Sequence, residues 1–344
     1  MEGVSIERIA DLFGINVAEG RVAFTDGKDK FVSGVDLPVD AEAYIVHTPS
    51  SVKIASMPEL VGKALDNLAI SSARFTASFL KKLLNAEGSL VFLHILRGSQ
   101  GYRLDVALRE AGFDVREQFV RVVYNGGTGE KHLEAAPHVG KVQFSELSGS
   151  EKTLVVADTV ATGRTLLEAL RLTLDMAGFK GMEFRRIVIY GFISEPGARK
   201  ASEFISERGA EPVLITLEDF AALASNQYDM PLYGPDTTPT GVNVDRLISG
   251  TTVPEALENM IRSYFPGMDQ PGDWSERQCL LFTGSTYERG RIDLHLENSL
   301  KALEALREAI RGAEWYEEWM DKIYAERRAR LEEAKGKNHC AYVF

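Results

Sequence analysis

The chain has 344 residues, enough for a core domain with one or two additions, and its 44% apolar and 26% charged residues are typical of globular proteins. The formal net charge of −11 argues against broad nucleic-acid binding, yet it permits a local positive pocket for a small anion. The N-terminus carries early acids, no apolar run nears the roughly 18 residues of a membrane span, and Cys279 and Cys340 have no CxxC spacing. We therefore expect a cytoplasmic protein with two reduced thiols and with neither nucleic acid nor membrane as a partner.

The first 55 residues predict a β-rich N-terminal segment. The turn signal Asp26-Gly27 lies between two apolar runs and indicates a hairpin. The expected strands are 21–24, 31–35 and 44–46. Pro58 is then expected to open a long helix that reaches about Leu84, because apolar residues recur on one helical face.

Strands and helices alternate in the next segment, residues 56–216. The expected strands are 90–96, 114–124, 154–157, 186–192 and 212–215, and the expected helices are 103–111, 163–177 and 196–208. Short continuous apolar runs are typical of strands buried on both faces. This alternation predicts an α/β core with a parallel sheet and right-handed crossovers, whose ligands bind at the carboxyl ends of the strands.

The alternation of strands and helices ends after residue 216. Prolines and glycines interrupt residues 217–250 and indicate an irregular hood segment. Helical spacing dominates residues 251–344, which we interpret as a mainly helical C-terminal extension.

One loop combines the groups that a sugar phosphate needs. The sequence LVVADTVATGRT, residues 154–165, runs from an apolar strand through a carboxylate into the start of a helix, where free N–H groups favour an anion. Thr162 and Thr165 add hydroxyl donors, Gly163 permits close approach and Arg164 adds positive charge. The carboxylate of Asp158 can accept from two vicinal hydroxyls. The loop thus predicts a ribose 5-phosphate site; the alternative is a turn whose Asp and Thr merely cap a helix.

The same residues resemble a known signature. ADTVATGRT is similar to the phosphoribosyl-pyrophosphate motif of the type I phosphoribosyltransferases, which has an apolar strand, two acids and a TG-containing phosphate loop. Ala157 stands where the first acid usually lies. Ala161 stands where purine-salvage members carry a catalytic Asp, which places Ala161 beside the acceptor and disfavours a hypoxanthine–guanine type. The resemblance covers about residues 60–215 and is closest to the uracil branch.

A second stretch adds to the resemblance. LHILRGSQG, residues 93–101, is similar to the ILRAG strand and turn of uracil phosphoribosyltransferases. The resemblance implies that Arg97 contacts pyrophosphate oxygens and that Gly98 and Ser99 supply backbone donors. The alternative is that Arg97 simply ends a strand at the surface.

A third stretch, RVVY, precedes a glycine-rich segment. In similar enzymes such a strand leads into a flexible loop that closes over the pyrophosphate, here residues 125–131. Arg121 and Lys131 are the candidate cationic contacts; two exposed basic residues on a hairpin are the alternative.

The acceptor side departs from the family. The uracil-recognition motif is absent after residue 216, and NQYDMPLYGPD, residues 226–236, stands in its place. Tyr233 and Asp236 are candidate substrate contacts, since a tyrosine ring can stack on a planar base. A rigid Pro/Gly loop is the alternative.

Together the resemblance implies a Mg²⁺-dependent, homodimeric phosphoribosyltransferase. It would transfer 5-phosphoribosyl from phosphoribosyl pyrophosphate to a nitrogen acceptor, with a pyrimidine-like base expected first, and would release pyrophosphate. Asp158 would hold both the ribose and the metal, and Asp158 and Arg97 would be the catalytic residues. The competing hypothesis is a non-catalytic or regulatory protein of the same fold that binds this donor or a nucleotide. His94, inside an apolar strand, is interpreted as a core residue rather than a ligand.

Overall fold

The computed structural model describes residues 5–84, 89–124, 135–145 and 152–341. The helices are α1 (Ile6–Phe13), α2 (Pro49–Ser56), α3 (Gly62–Leu83), α4 (Leu104–Glu110), α5 (Arg164–Phe179), α6 (Glu195–Glu207), α7 (Pro254–Met260), α8 (Ile292–Ile310) and α9 (Glu318–Ala334). The strands are β1 (Asn16–Val17), β2 (Arg21–Thr25), β3 (Phe31–Val35), β4 (Glu42–His47), β5 (Ser89–Leu96), β6 (Asp114–Tyr124), β7 (Pro137–Phe144), β8 (Thr153–Ala157), β9 (Arg186–Ser194), β10 (Glu211–Ala221), β11 (Tyr233–Thr238), β12 (Gly241–Ser249), β13 (Thr251–Thr252), β14 (Leu280–Phe282) and β15 (Tyr287–Arg289). A short 3-10 helix, Ser99–Tyr102, follows β5.

Six parallel strands form the centre of the sheet, in the order β4-β10-β9-β8-β5-β6. The antiparallel pair β2-β3 extends one edge beside β4, and β7 extends the other edge antiparallel to β6. The predicted α/β class with a mostly parallel sheet and C-terminal helices is confirmed. The N-terminal strands share this sheet, because β4 pairs with β10.

Helices cover both faces of the sheet, which explains why its central strands read as continuous apolar runs. One core lies between the sheet and α2, α3, α4, α8 and α9. The other lies between the sheet and α5 and α6. Strands β5, β8 and β9 are buried along nearly their whole length as a result.

The strand order reverses between β5 and β8. From β5 the chain proceeds outward to β6, whereas from β8 it proceeds to β9 and β10 on the other side. Loops that leave two such neighbouring strands diverge and open a crevice at their carboxyl ends, the usual ligand site of this architecture.

Several predicted boundaries need correction. The helix expected from Pro58 begins at Gly62, and a separate helix, α2, precedes it with Thr48 as its N-cap. Residues 137–144 form β7, which the sequence does not predict because no residue of this edge strand is buried. Within the expected irregular segment, β11 and β12 form an antiparallel hairpin.

The expectation of two reduced thiols is wrong for this structure. Cys279 and Cys340 form a disulfide with a Cα–Cα distance of 5.6 Å. Packing of the C-terminal residues brings the two sulfurs together, which spacing along the sequence does not reveal. The cysteines therefore no longer support a reducing compartment. Among the described residues, no helix has the length and apolarity needed to cross a bilayer.

Candidate functional site

Two loops meet at the crevice between β5 and β8. His94 of β5 lies opposite Ala157 of β8, so the Arg97 turn and Asp158 leave the sheet on adjacent strands. Adjacent strands lie about 4.8 Å apart. The hydroxyls of Tyr102 and Thr159 share a hydrogen bond of 2.5 Å that ties the two loops together.

Asp158 is fixed by its neighbour β9. Its backbone N–H donates to the carbonyl of Tyr190 at 3.0 Å. Gly191 permits this contact, because a Cβ there would lie 2.2 Å from the Asp158 carbonyl oxygen. Burial raises the pKa of Asp158 to about 7, against the opposing effect of a hydrogen bond from the Thr159 backbone. The carboxyl therefore changes charge near neutral pH.

Within the predicted phosphate loop, residues 162–165, Gly163 has a φ of +79° and turns the chain into α5, which begins at Arg164. No side chain caps this helix, and the first N–H groups of a helix have no intrahelical acceptor. The hydroxyl of Thr165 shares a hydrogen bond of 2.7 Å with Tyr124 at the end of β6. Arg164 does not simply point outward: its guanidinium donates to the carbonyl of Ala135 at 2.6 Å.

The remaining residues of this loop are Ala161 and Thr162. The Ala161 carbonyl accepts from the Ser194 hydroxyl at 2.5 Å, which holds the loop against the start of α6. The hydroxyl of Thr162 lies 3.5 Å from the backbone nitrogen of Arg164. Both residues are partly exposed at the crevice.

Arg97 is ion-paired within the protein. Its guanidinium lies 2.8 Å from a carboxylate oxygen of Glu288 and 3.5 Å from one of Glu276. The peptide bond between Leu96 and Arg97 is cis. Arg121 of β6 lies opposite Leu96 and so reaches the same edge of the sheet.

A C-terminal segment, residues 274–291, packs over the Arg97 turn; we call it the strap. Trp274 and Gln278 donate side-chain N–H groups to the Gly98 carbonyl, each at 3.1 Å. The Trp274 ring stacks on that of Tyr102 with centroids 4.3 Å apart. No feature of the sequence indicated this contact, because the strap has neither periodicity nor a motif.

His94 and Ser99 lie beneath the Arg97 turn. The His94 ring stacks on Phe119, and its Nε2 lies 3.0 Å from a carboxylate oxygen of Glu117. Ser99 is buried, with its hydroxyl 3.5 Å from His94 Nδ1. The interpretation of His94 as a core residue is confirmed.

The cluster around His94 also resembles a metal site. His94, Asp105 and Glu117 each have a possible ligand atom within 4.8 Å of the others. The guanidinium of Arg109 already occupies the cluster, 2.8 Å from Glu117 and 4.0 Å from Asp105. Its positive charge balances the carboxylates, so we interpret the cluster as an ion-pair network.

Two predicted acceptor contacts lie in the protein interior. Tyr233 is fully buried, and its ring packs 4.7 Å from Phe13. Asp236 is fully buried too and accepts hydrogen bonds from the backbone and hydroxyl of Ser225. The prediction that these side chains meet an acceptor is therefore corrected. Lys131 and the loop 125–131 lie outside the described residues.

A cavity of about 680 Å³ lies beside the end of β4, three strands from β8. His47 lines it and stacks on Phe31, and its Nδ1 lies 2.7 Å from a carboxylate oxygen of Glu218. Burial works to lower the pKa of His47, but the charge of Glu218 holds it above its usual value. This cavity is separate from the crevice between β5 and β8.

No protein-family model and no curated protein matches the chain. Among solved structures it is similar to a hypoxanthine phosphoribosyltransferase mutant from Trypanosoma cruzi complexed with IMP, with 18% identity, 37% of this chain, 65% of that chain and a TM-score of 0.25. It is also similar to adenine phosphoribosyltransferase from Trypanosoma brucei in complex with AMP, pyrophosphate and ribose-5-phosphate. The identity is 13%, the match covers 51% of this chain and 83% of that chain, and the TM-score is 0.33. A third similar structure is hypoxanthine-guanine phosphoribosyltransferase from L. donovani. The identity is 16%, the match covers 49% of this chain and 89% of that chain, and the TM-score is 0.27. These overlaps are low and partial, so no activity of these enzymes is assigned to this chain on their account.

Proposed function

We propose that this protein binds phosphoribosyl pyrophosphate in the crevice between β5 and β8 and transfers its 5-phosphoribosyl group to a nitrogen acceptor. One observation carries the proposal: the Arg97 turn, the Asp158 carboxylate and the start of α5 meet where the strand order reverses. A cation, a diol acceptor and a phosphate cradle are the three groups that this donor needs.

Each part of the donor then has a partner. Asp158 accepts from the two ribose hydroxyls, and residues 162–165 hold the 5-phosphate at the start of α5. Arg97 and Arg121 neutralise the pyrophosphate as it leaves. The acceptor nitrogen forms its bond to C1 of the ribose as the bond from C1 to the pyrophosphate oxygen breaks, and the proton of the acceptor N–H passes to the released pyrophosphate or to water.

Mg²⁺ is part of the proposal. Mg²⁺ is commonly held by one or two carboxylates together with substrate phosphates. Ala157 leaves Asp158 as the single acid at the end of β8, which is sufficient if the donor supplies the other oxygens. The ion would offset charge on the departing pyrophosphate.

The acceptor is proposed to be a pyrimidine-like base. Ala161, on the loop after β8, is partly exposed and carries no acid that would pair with a purine ring, whereas Tyr233 and Asp236 are buried elsewhere. We propose a homodimer as the assembly; light scattering of the purified chain measures it. The cytoplasm stays the proposed compartment only if the disulfide is reduced there.

Calorimetry of phosphoribosyl pyrophosphate with Mg²⁺ tests donor binding. Asp158→Asn should weaken it about ten- to hundredfold, because a hydrogen bond to a charged group contributes roughly 1.5–3 kcal/mol. Asp40→Asn, the same change at an exposed position, is the matched control and should bind as wild type. Equal affinity of Asp158→Asn and wild type would refute the proposal.

A second candidate function is donor or nucleotide binding without catalysis. It is favoured by the two carboxylates that already neutralise Arg97 and by the missing first acid at Ala157. Release of pyrophosphate from the donor, measured with Mg²⁺ and a panel of nucleobases, separates the two. Donor binding without turnover on any base supports the second candidate.

A further inference from the structure

The strap is anchored firmly at its centre. Arg277 is fully buried, and its guanidinium donates to the carbonyls of Ile54, Met57, Leu60 and Pro271. A buried cation with this many acceptors is costly to extract. The middle of the strap, and with it Glu276 and Gln278, is therefore a fixed part of the crevice wall.

The two carboxylates on Arg97 differ in how they are held. The side chain of Glu276 is only 10% exposed, and it also accepts from the backbone and guanidinium of Arg291 at 2.6 and 3.0 Å. The side chain of Glu288 is 48% exposed. Arg97 is the cation that the described residues offer to Glu288.

The hairpin that carries Glu288 is held less firmly than the strap's centre. β14 and β15 pair with each other, and residues 285–289 are exposed. The hairpin meets the sheet through Phe282, packed edge-on against Phe119 at 5.5 Å, and through a hydrogen bond of 2.8 Å between Lys141 and Ser285. Leu281 and Thr283 of the hairpin are buried, whereas β15, which carries Glu288, is exposed along its whole length and can move at lower cost.

We propose that Glu288 is an internal competitor for the pyrophosphate subsite: it neutralises Arg97 until a pyrophosphate group displaces it. When Arg97 binds such an anion, Glu276 stays ion-paired with Arg291, and the carboxylate of Glu288 becomes solvated by water. Breaking a half-exposed ion pair requires little energy, so the exchange is reversible. The proposal rests on the proposed function, since it takes Arg97 as the pyrophosphate contact.

Inorganic pyrophosphate with Mg²⁺ is the probe, with affinity measured by calorimetry on the full chain. Glu288→Gln should bind it about two- to fivefold more tightly than wild type, the factor expected when one exposed ion pair is lost. Glu297→Gln is the matched control, since it removes the same charge from an exposed position on α8. It should bind as wild type, and the unfolding temperature of all three proteins checks that each is folded.

Hydrogen exchange supplies a second measurement on wild type. Pyrophosphate should accelerate amide exchange in residues 280–289 as Glu288 leaves Arg97. If pyrophosphate or the donor binds wild type and Glu288→Gln equally and exchange there is unchanged, the internal competitor is refuted while the proposed function stands. If neither ligand binds any variant, the proposed function fails and this inference fails with it.

Discussion

Asp158 sits between two opposing requirements. Burial beside β9 disfavours its charge and raises its pKa to about 7, whereas accepting two hydroxyls favours the charged form. Because the folded pKa is raised above the ordinary 3.8, ionisation of Asp158 costs stability as pH rises between these two values, and none of this cost applies below them. Hydrogen bonds from the two donor hydroxyls should therefore offset the free-energy cost of ionising Asp158 in the folded protein.

Donor affinity should rise with pH through about 7 as Asp158 becomes a carboxylate. Calorimetry at several values between about pH 5.5 and about 8.5 measures this for wild type and Asp158→Asn. The variant corrects for titration of the donor's own phosphates, whose second pKa is near 6. A wild-type profile parallel to that of the variant would show that Asp158 does not clamp the ribose.

At the residue scale, the sequence predicts groups that act within one short motif. Asp158, Gly163 and Thr165 are neighbours along the chain, so a joint role for them can be predicted from the motif without knowledge of the fold. The contact between Arg97 and Glu288 spans 191 residues, and no local pattern encodes it. The burial of Tyr233 likewise depends on residues distant in sequence, Phe13 and Tyr264, so the sequence does not predict it.

Among the elements, β9 has a role beyond its own burial. Gly191 adopts a φ of +144°, and its lack of a side chain lets the loop after β8 rest directly on the strand. Replacement by any L-residue strains the backbone and pushes against the Asp158 carbonyl. The position of the carboxylate is thus set partly from the neighbouring strand.

Gly191→Ala should lower the free energy of unfolding by about 3 kcal/mol and weaken donor binding, because backbone strain and overpacking act together. Gly178→Ala is the matched control, since a Cβ at that position of α5 meets nothing within 4 Å. That variant should be as stable as wild type or slightly more so. Chemical denaturation and calorimetry measure the two effects, and normal stability of Gly191→Ala would contradict the close approach.

Elements buried on both sides could be predicted from the sequence, and exposed ones could not. The runs that became β5, β8 and β9 are apolar throughout because helices cover both of their faces. By contrast, β7 has no buried residue at the sheet edge, so no apolar run marks it. β12 likewise has no buried residue, and the prolines and glycines around it indicate an irregular segment rather than a hairpin.

At the scale of the whole molecule, the disulfide joins the strap to the end of the chain. It closes a loop of 61 residues that contains α8 and α9. The backbone of His339 also accepts from Lys63 at the start of α3, so the same region is fastened to the sheet's helical layer. The bond therefore restricts a large part of the unfolded chain.

Cys279→Ser with Cys340→Ser should lower the free energy of unfolding by up to about 4 kcal/mol, the loop-closure value for a ring of this size. Denaturation of wild type with and without a dithiol reductant provides the comparison. The reductant should destabilise wild type and leave the double variant unchanged. If wild type is unaffected by complete reduction, the bond does not stabilise the fold.

The pairing of β4 with β10 has a consequence for synthesis on the ribosome. The partner of β4 is made about 170 residues later, which at roughly 5–20 residues per second takes about 10–30 s. During that time one edge of the apolar strand β4 is unpaired, and an unpaired strand edge promotes association with other chains. We expect the nascent N-terminal third to depend on chaperones, and slowing translation should lengthen its exposure to them.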